Sequence, residues 1–267
     1  IKGWLLSGII GGGILALVVW IYEMTGSWFW LIAWGVITAF TIFMSMFYSN
    51  LIVPLFNKQR PLEEGELRTA IEEYSKSVGF KLKNIYVIDG SKRSSKGNAY
   101  FTGLGPRKRI VLYDTLIEKH SVGELVAVLA HEVGHYKKKH SLKGIVISIL
   151  QTGLMLFILS LFLKSPYLSQ ALGASEPSFH MSLLAFGLLY SPLSLIIGIA
   201  MNVMSRKHEY QADKFSADTY NPDALSMALK KLSVDNLSNL RPHPAYVFFH
   251  YSHPPLLKRL EAIENQG

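Results

Sequence analysis

Residues 122–142 read VGELVAVLAHEVGHYKKKHSL. Leu125, Val128, Leu129 and Val133 recur on one side of a helix there, and the run ends in Lys137, Lys138 and Lys139. Inside it, His131-Glu132-Val133-Gly134-His135 matches the pattern H-E-x-x-H. Residues four apart share a helical face, so two imidazoles there can grip one zinc ion, and the adjacent Glu132 can reach the water that the ion activates. The alternative is a pair of core or surface histidines. Gly134 is a residue tolerated where a close neighbour approaches.

A catalytic zinc takes three protein ligands and an open position. A third His six residues after His135 would complete one known pattern, but position 141 is Ser; His140 is one residue early and Lys138 stands where a Gly is needed. His140 therefore reads as a residue behind the ligands or at the membrane interface. Downstream, Glu209 and Asp213 are four apart in His208-Glu209-Tyr210-Gln211-Ala212-Asp213. One carboxylate can bind the ion while the other accepts the free ring N–H of a ligand histidine. Equally, the two can form a solvated acidic pair with Arg206 or Lys214. Spacing leaves both open.

The rest of the chain describes a membrane protein. Of 267 residues, 49% are hydrophobic and only 17% charged, below the share of an average soluble domain. The apolar residues gather in four runs: Trp4 to Tyr22, Trp28 to Tyr48, Gly144 to Leu163 and Ser182 to Val203. Each can cross a hydrocarbon core of about 30 Å as a helix. The first two, separated by Glu23–Ser27, read as a helical hairpin. Trp4, Trp20, Tyr22, Trp28, Trp30 and Tyr48 near their ends suit the membrane interfaces. There is no cysteine, so any metal is held by His, Asp or Glu. The net charge of +8 collects beside the apolar runs, which favours a bilayer partner over nucleic acid. Lys58, Arg60, Lys137, Lys138, Lys139, Lys143, Arg206 and Lys207 lie on the side of the polar segments, whereas the loops Glu23–Ser27 and Lys164–His180 offer only Lys164. The polar part is expected to face the cytosol. The chain opens on Ile1, already entering an apolar run, and is expected to be part of a longer protein rather than to begin with a signal peptide.

Between the runs, Pro61 to Phe80 reads as an amphipathic helix with Pro61 in its first turn. Three strands are expected, at Ile85–Ile88, Asn98–Thr102 and Arg109–Tyr113. Asn221-Pro222-Asp223 resembles a membrane aspartate ligand, yet Asn221 is a good N-cap and Pro222 a good first-turn residue, so a helix start is preferred. The last helix spans Pro254 to Asn265. The fold class is thus a mainly α membrane protein, with transmembrane helices plus a zincin-like α+β part built on a small three-stranded sheet. Four segments follow: residues 1–56 a hairpin, 57–143 the H-E-x-x-H part, 144–204 two spanning helices and 205–267 the third-ligand helix with the C-terminal segment.

Five stretches together resemble the integral-membrane CAAX prenyl protease family, zinc proteases that trim prenylated proteins. They are Ser91–Ser94 with Asn98–Phe101, Arg109–Leu116, Leu129–His135, Glu209–Asp213, and Tyr251-Ser252-His253-Pro254-Pro255-Leu256-Leu257. The resemblance implies Glu209 as third zinc ligand, Asp213 behind the ligands and Glu132 as general base. It implies that Asn98, Ala99 and Tyr100 form an edge on which a peptide substrate pairs, and that Asn98 and His253 face the scissile carbonyl. By residue type alone, Asn98 caps a turn and His253 starts a helix. Arg259 is expected to orient a substrate carboxylate or to pair near Glu132. The family's fold has seven spanning helices around a chamber, against four runs counted here. Two other functions compete: a membrane quality-control protease of the heat-shock type, and a scaffold with a structural zinc, which has no need of Glu132.

Overall fold

The computed structural model describes residues 2–82, 85–102, 109–163, 165–176 and 178–265. The expectation placed on Lys164 lies outside them. The described chain divides into two compact units, Ile1–Ile42 with Lys143–Leu195, and Phe43–Leu142 with Ile196–Gly267.

Among the described residues, the apolar runs become three helical stretches long and apolar enough to cross a membrane: Lys2–Leu55, His140–Leu163 and Phe179–Thr219. The first contains two of the four expected runs, as α1 (Lys2–Thr25) and α2 (Phe29–Leu51). The short loop expected between them is a single 3-10 turn, Gly26–Trp28, with Gly26 at φ 52°, a conformation glycine adopts without steric cost. Within the first unit, Trp34 donates its ring N–H to the Ile149 carbonyl at 2.8 Å. Its indole lies where a Cβ on Gly153 would come within 2.9 Å, so the glycine admits the ring.

The second unit begins with β1 (Gln59–Pro61), which periodicity does not reveal because it is three residues long and exposed. Pro61 therefore ends an edge strand instead of opening a helix. Edge strands tolerate a missing N–H. The amphipathic helix follows as α3 (Glu66–Ser77), buried through Ile71 and Tyr74. Among the described residues, β2 (Ile85–Ile88), β3 (Ala99–Thr102) and β4 (Arg109–Tyr113) complete a sheet of four strands, not three, in the order β1-β2-β4-β3. β2 and β4 are parallel, with Tyr86 opposite Val111, while β3 runs antiparallel to β4, with Ala99 opposite Leu112. The strand carrying Ala99 and Tyr100 is consequently an edge.

A short α4 (Asp114–Lys119) leads to α5 (Val122–Lys137), which buries Leu125, Val126, Leu129 and Val133 against Ile71, Val87 and Leu112. Its start is pinned by a capping box: the Ser121 hydroxyl accepts the Glu124 N–H, and the Glu124 carboxylate accepts the Ser121 N–H at 2.9 Å. The expected helix over Val122–Leu142 is in fact broken. Lys139 adopts φ 58°, and α6 (His140–Leu163) begins after it. Three lysines give no breaking signal, since Lys is a good helix former. A left-handed lysine stores on the order of 1 kcal/mol. Lys139→Gly is therefore expected to leave thermal stability unchanged or raise it, whereas Lys139→Ile lowers it by about 1–2 kcal/mol, as thermal unfolding in detergent would show.

After α7 (Pro166–Ala171), the 41-residue α8 (Phe179–Thr219) runs unbroken through Pro192 from apolar into polar sequence. α9 (Pro222–Asp235) opens as expected, with the Asn221 side chain accepting the N–H groups of Asp223 and Ala224. α10 (Pro244–His250) and α11 (Leu256–Glu264) end the chain, and α11 packs on α9.

Candidate metal centre

α5 and the polar end of α8 meet at Gly134. A Cβ there would stand 3.1 Å from both Ala212 Cα and Phe215 Cβ, tighter than most Cβ contacts, so any larger residue would press the helices apart. One turn further along, the Ser216 hydroxyl donates to the Ala127 carbonyl at 2.8 Å and locks the pairing. Glu209 is carried to the imidazoles by this contact. Gly134→Val is expected to force the helices apart at a cost of about 1–3 kcal/mol and to lower metal stoichiometry, as elemental analysis of the purified protein would report.

His131, His135 and Glu209 each offer one ligand atom, all within 4.8 Å of one another. The two imidazole Nε2 atoms are 3.0 Å apart. Glu209 Oε1 lies 3.3 Å from His135 Nε2, and Oε2 lies 3.7 Å from His131 Nε2. A tetrahedral ion with bonds of about 2.0–2.2 Å separates neighbouring ligands by about 3.3–3.6 Å. The Glu209–His135 separation falls in this range, the imidazole pair is tighter and the Glu209–His131 separation wider, so small side-chain shifts would bring the three groups onto one ion.

Behind this cluster, Asp213 is only 1% exposed. Its Oδ1 accepts the Nδ1–H of His131 at 2.9 Å, the arrangement that leaves Nε2 bare for a metal. Arg259 on α11 makes a two-pronged contact with the same carboxylate, Nε to Oδ2 at 2.7 Å and Nη2 to Oδ1 at 2.6 Å, and its Nη1 lies 3.4 Å from Glu209 Oε2. Burial works against the Arg259 cation, but Asp213 more than offsets it and raises its pKa further. The guanidinium expected at a substrate carboxylate or beside Glu132 is thus turned onto Asp213 and Glu209. The partners imagined for a solvated acidic pair are engaged elsewhere. Arg206 donates to the carbonyls of Val247 and Tyr251, and Lys214 lies 3.4 Å from Asp218.

The cleft over this centre has a volume of about 690 Å³. Half-buried Glu132, Asn98, Ala99, His253 and Arg259 all line it. His253 is exposed and its Nε2 reaches within 3.5 Å of Glu209 Oε1, while its Nδ1 pairs with the Ser252 hydroxyl at 3.0 Å. The Asn98 carbonyl accepts the Tyr113 N–H at 3.0 Å, which sets the entry to β3. Tyr100 is not among the lining residues; alternation along β3 sends it away from Ala99, onto Tyr113. One wall was not foreseen from the sequence: Leu225, Leu229 and Leu232 of α9. Their spacing is that of any core-facing helix, and Leu225 and Leu229 do pack in a core cluster with Ala127 and Ile263 while also lining the cleft.

Helices of membrane-spanning length and a His-His-Glu cluster in the same cleft as the β3 edge together define an integral membrane protein with a metallopeptidase-type centre. Residues 61–266 match the model of peptidase family M48, and residues 1–58 match the model described as CAAX prenyl protease N-terminal, five membrane helices. The chain belongs to peptidase family M48, and membership implies a metal cofactor. It is 40% identical to a CAAX prenyl protease 1 homolog of Oryza sativa subsp. japonica over 99% of this chain and 63% of the relative. It is 38% identical to CAAX prenyl protease 1 of Saccharomyces cerevisiae, over 99% of this chain and 62% of that one. The crystal structure of S. mikatae Ste24p superposes with a TM-score of 0.92 at 37% identity, covering 99% of this chain and 65% of that chain. The chain spans between 55% and 64% of the length of curated relatives such as these.

Proposed function

We propose that this chain carries the catalytic part of a zinc endopeptidase of the CAAX prenyl protease type, acting on a peptide or a prenylated protein at a membrane surface. The observation that carries the reading is the convergence of His131, His135 and Glu209 in a cleft that also holds Glu132 and the Ala99 edge. The names and identities of the relatives support the substrate class.

His131, His135 and Glu209 would hold the zinc, which when bound polarises the scissile carbonyl and acidifies water. Glu132 takes the proton of the attacking water and returns it to the leaving amine. Asn98 and His253 donate to the oxygen that gains charge. The open side of β3 pairs with the substrate backbone through Ala99, by strand addition. The apolar wall of α9 receives apolar side chains flanking the cut. Lys58, Arg60, Lys137, Lys138, Lys139 and Lys207 favour a cytosolic position for this side of the membrane.

The test offers a farnesylated CAAX peptide and unfolded casein to the purified protein. Cleavage of the farnesylated peptide, abolished by a zinc chelator and restored by zinc, is expected. Preference for casein would transfer the chain to the heat-shock type of membrane protease. Tight zinc with neither substrate cut would point to a scaffold.

A further inference from the structure

The two candidate ligand histidines have different supports. His131 donates to a carboxylate, whereas the Nδ1 of His135 lies 3.0 Å from the Nδ1 of His140. Two ring nitrogens can share a hydrogen bond only if one carries the proton and the other is bare. The far side of His140 decides which. Its Nε2 lies 2.9 Å from Gln211 Oε1, an oxygen that can only accept, so the His140 proton sits on Nε2 and its Nδ1 is bare. His135 must then carry its proton on Nδ1, and its Nε2 is left free, facing His131 Nε2 and Glu209. The polarity of this line of bonds, from Gln211 through His140 to His135, selects the tautomer that can bind a metal.

Backbone conformation brings His140 into this line. In an uninterrupted helix, a residue five positions after His135 would project about 140° away from it. The left-handed Lys139 breaks the helix and returns His140 to the His135 face. A strained non-glycine residue beside a site is a device for holding geometry that local preference would not give. The His140 ring is 5% exposed and stacks on His208 of α8, with centroids 3.9 Å apart and planes 9° apart. Gln211 and His208 both lie on α8, the helix that supplies Glu209. The orientation of His135 is thus tied to the arrival of the third ligand.

We propose that His140 is a positioning residue of the metal centre, accepting the Nδ1–H of His135 so that Nε2 is presented to the ion. The proposal rests on the reading of His131, His135 and Glu209 as ligands. An Asn at 140 can place a carbonyl oxygen near the position of the imidazole Nδ1. A Gln reaches instead toward the Nε2 position, and a Phe keeps the stacking while removing the acceptor.

The experiment measures zinc affinity of the full chain in detergent by competition with a chromophoric chelator, together with the visible spectrum of the cobalt-loaded protein. His140→Phe is expected to bind zinc about 10–100-fold more weakly, the usual loss when the partner of a ligand histidine is removed. His140→Asn is expected to recover affinity and the wild-type cobalt spectrum, and His140→Gln to recover neither. Wild-type affinity in His140→Phe overturns the proposal. So does an Asn variant no better than Gln, a comparison that stands even where Phe fails to fold. Glu209→Gln serves as the reference: unchanged zinc affinity there overturns the metal-centre reading itself and this proposal with it. Loss in Glu209→Gln with His140→Phe unaffected overturns the role of His140 alone.

Discussion

Glu132→Gln is expected to keep its metal and lose about two to four orders of magnitude in turnover, roughly 3–5 kcal/mol of transition-state stabilisation. The substitution preserves the shape of a half-buried side chain that lines the cleft next to His131. It removes only the capacity to take a proton. The three groups that fit an ion do not include Glu132, so metal content should be unchanged. Elemental analysis beside peptide cleavage separates the two quantities. Retained turnover would move the proton-accepting role to another residue, and lost metal would show that Glu132 supports the centre structurally.

Arg259→Ala is expected to cost about 3–5 kcal/mol of stability, because it strands a buried carboxylate. Asp213 then keeps the His131 contact and loses both prongs of the guanidinium. Lysine is not an adequate substitute, since one ammonium cannot reproduce the two-pronged contact. For a protein of this size the loss is a fall in Tm on the order of ten degrees. Arg259→Ala combined with Asp213→Ala should cost less than the sum of the two single changes, because removing both partners leaves no stranded charge. Additive effects would mean that the two residues act independently. Since the same carboxylate orients His131, metal affinity should fall along with stability in each single variant.

Local pattern made some of the site legible and left the rest dark. The H-E-x-x-H match and its helix were readable because residues four apart share a face whatever the surrounding fold. The cap at Asn221 and the i, i+4 relation of Glu209 and Asp213 were readable for the same reason. Resemblance to a family pointed to Glu209, but spacing alone allowed a solvated pair with Arg206 or Lys214. Those cations turned out to be engaged with backbone carbonyls and Asp218. The first strand was invisible because Gln59–Pro61 is short, exposed and proline-terminated, and its place is set by pairing with β2. The helix break at Lys139 was invisible because nothing in three lysines disfavours a helix.

By itself, the order of residues determined the membrane runs, the helical face that carries His131 and His135, and the absence of thiol ligands. These depend on hydrophobicity and on contacts within a few residues, which the chain carries locally. Only the tertiary structure decided that Glu209 meets those imidazoles, that Arg259 serves Asp213 and that His140 turns back to His135. Each of these requires two distant segments to be brought within hydrogen-bonding distance. That approach is set by the close packing of α5 on α8 at Gly134 and by the backbone turn at Lys139, not by any preference of the residues that meet.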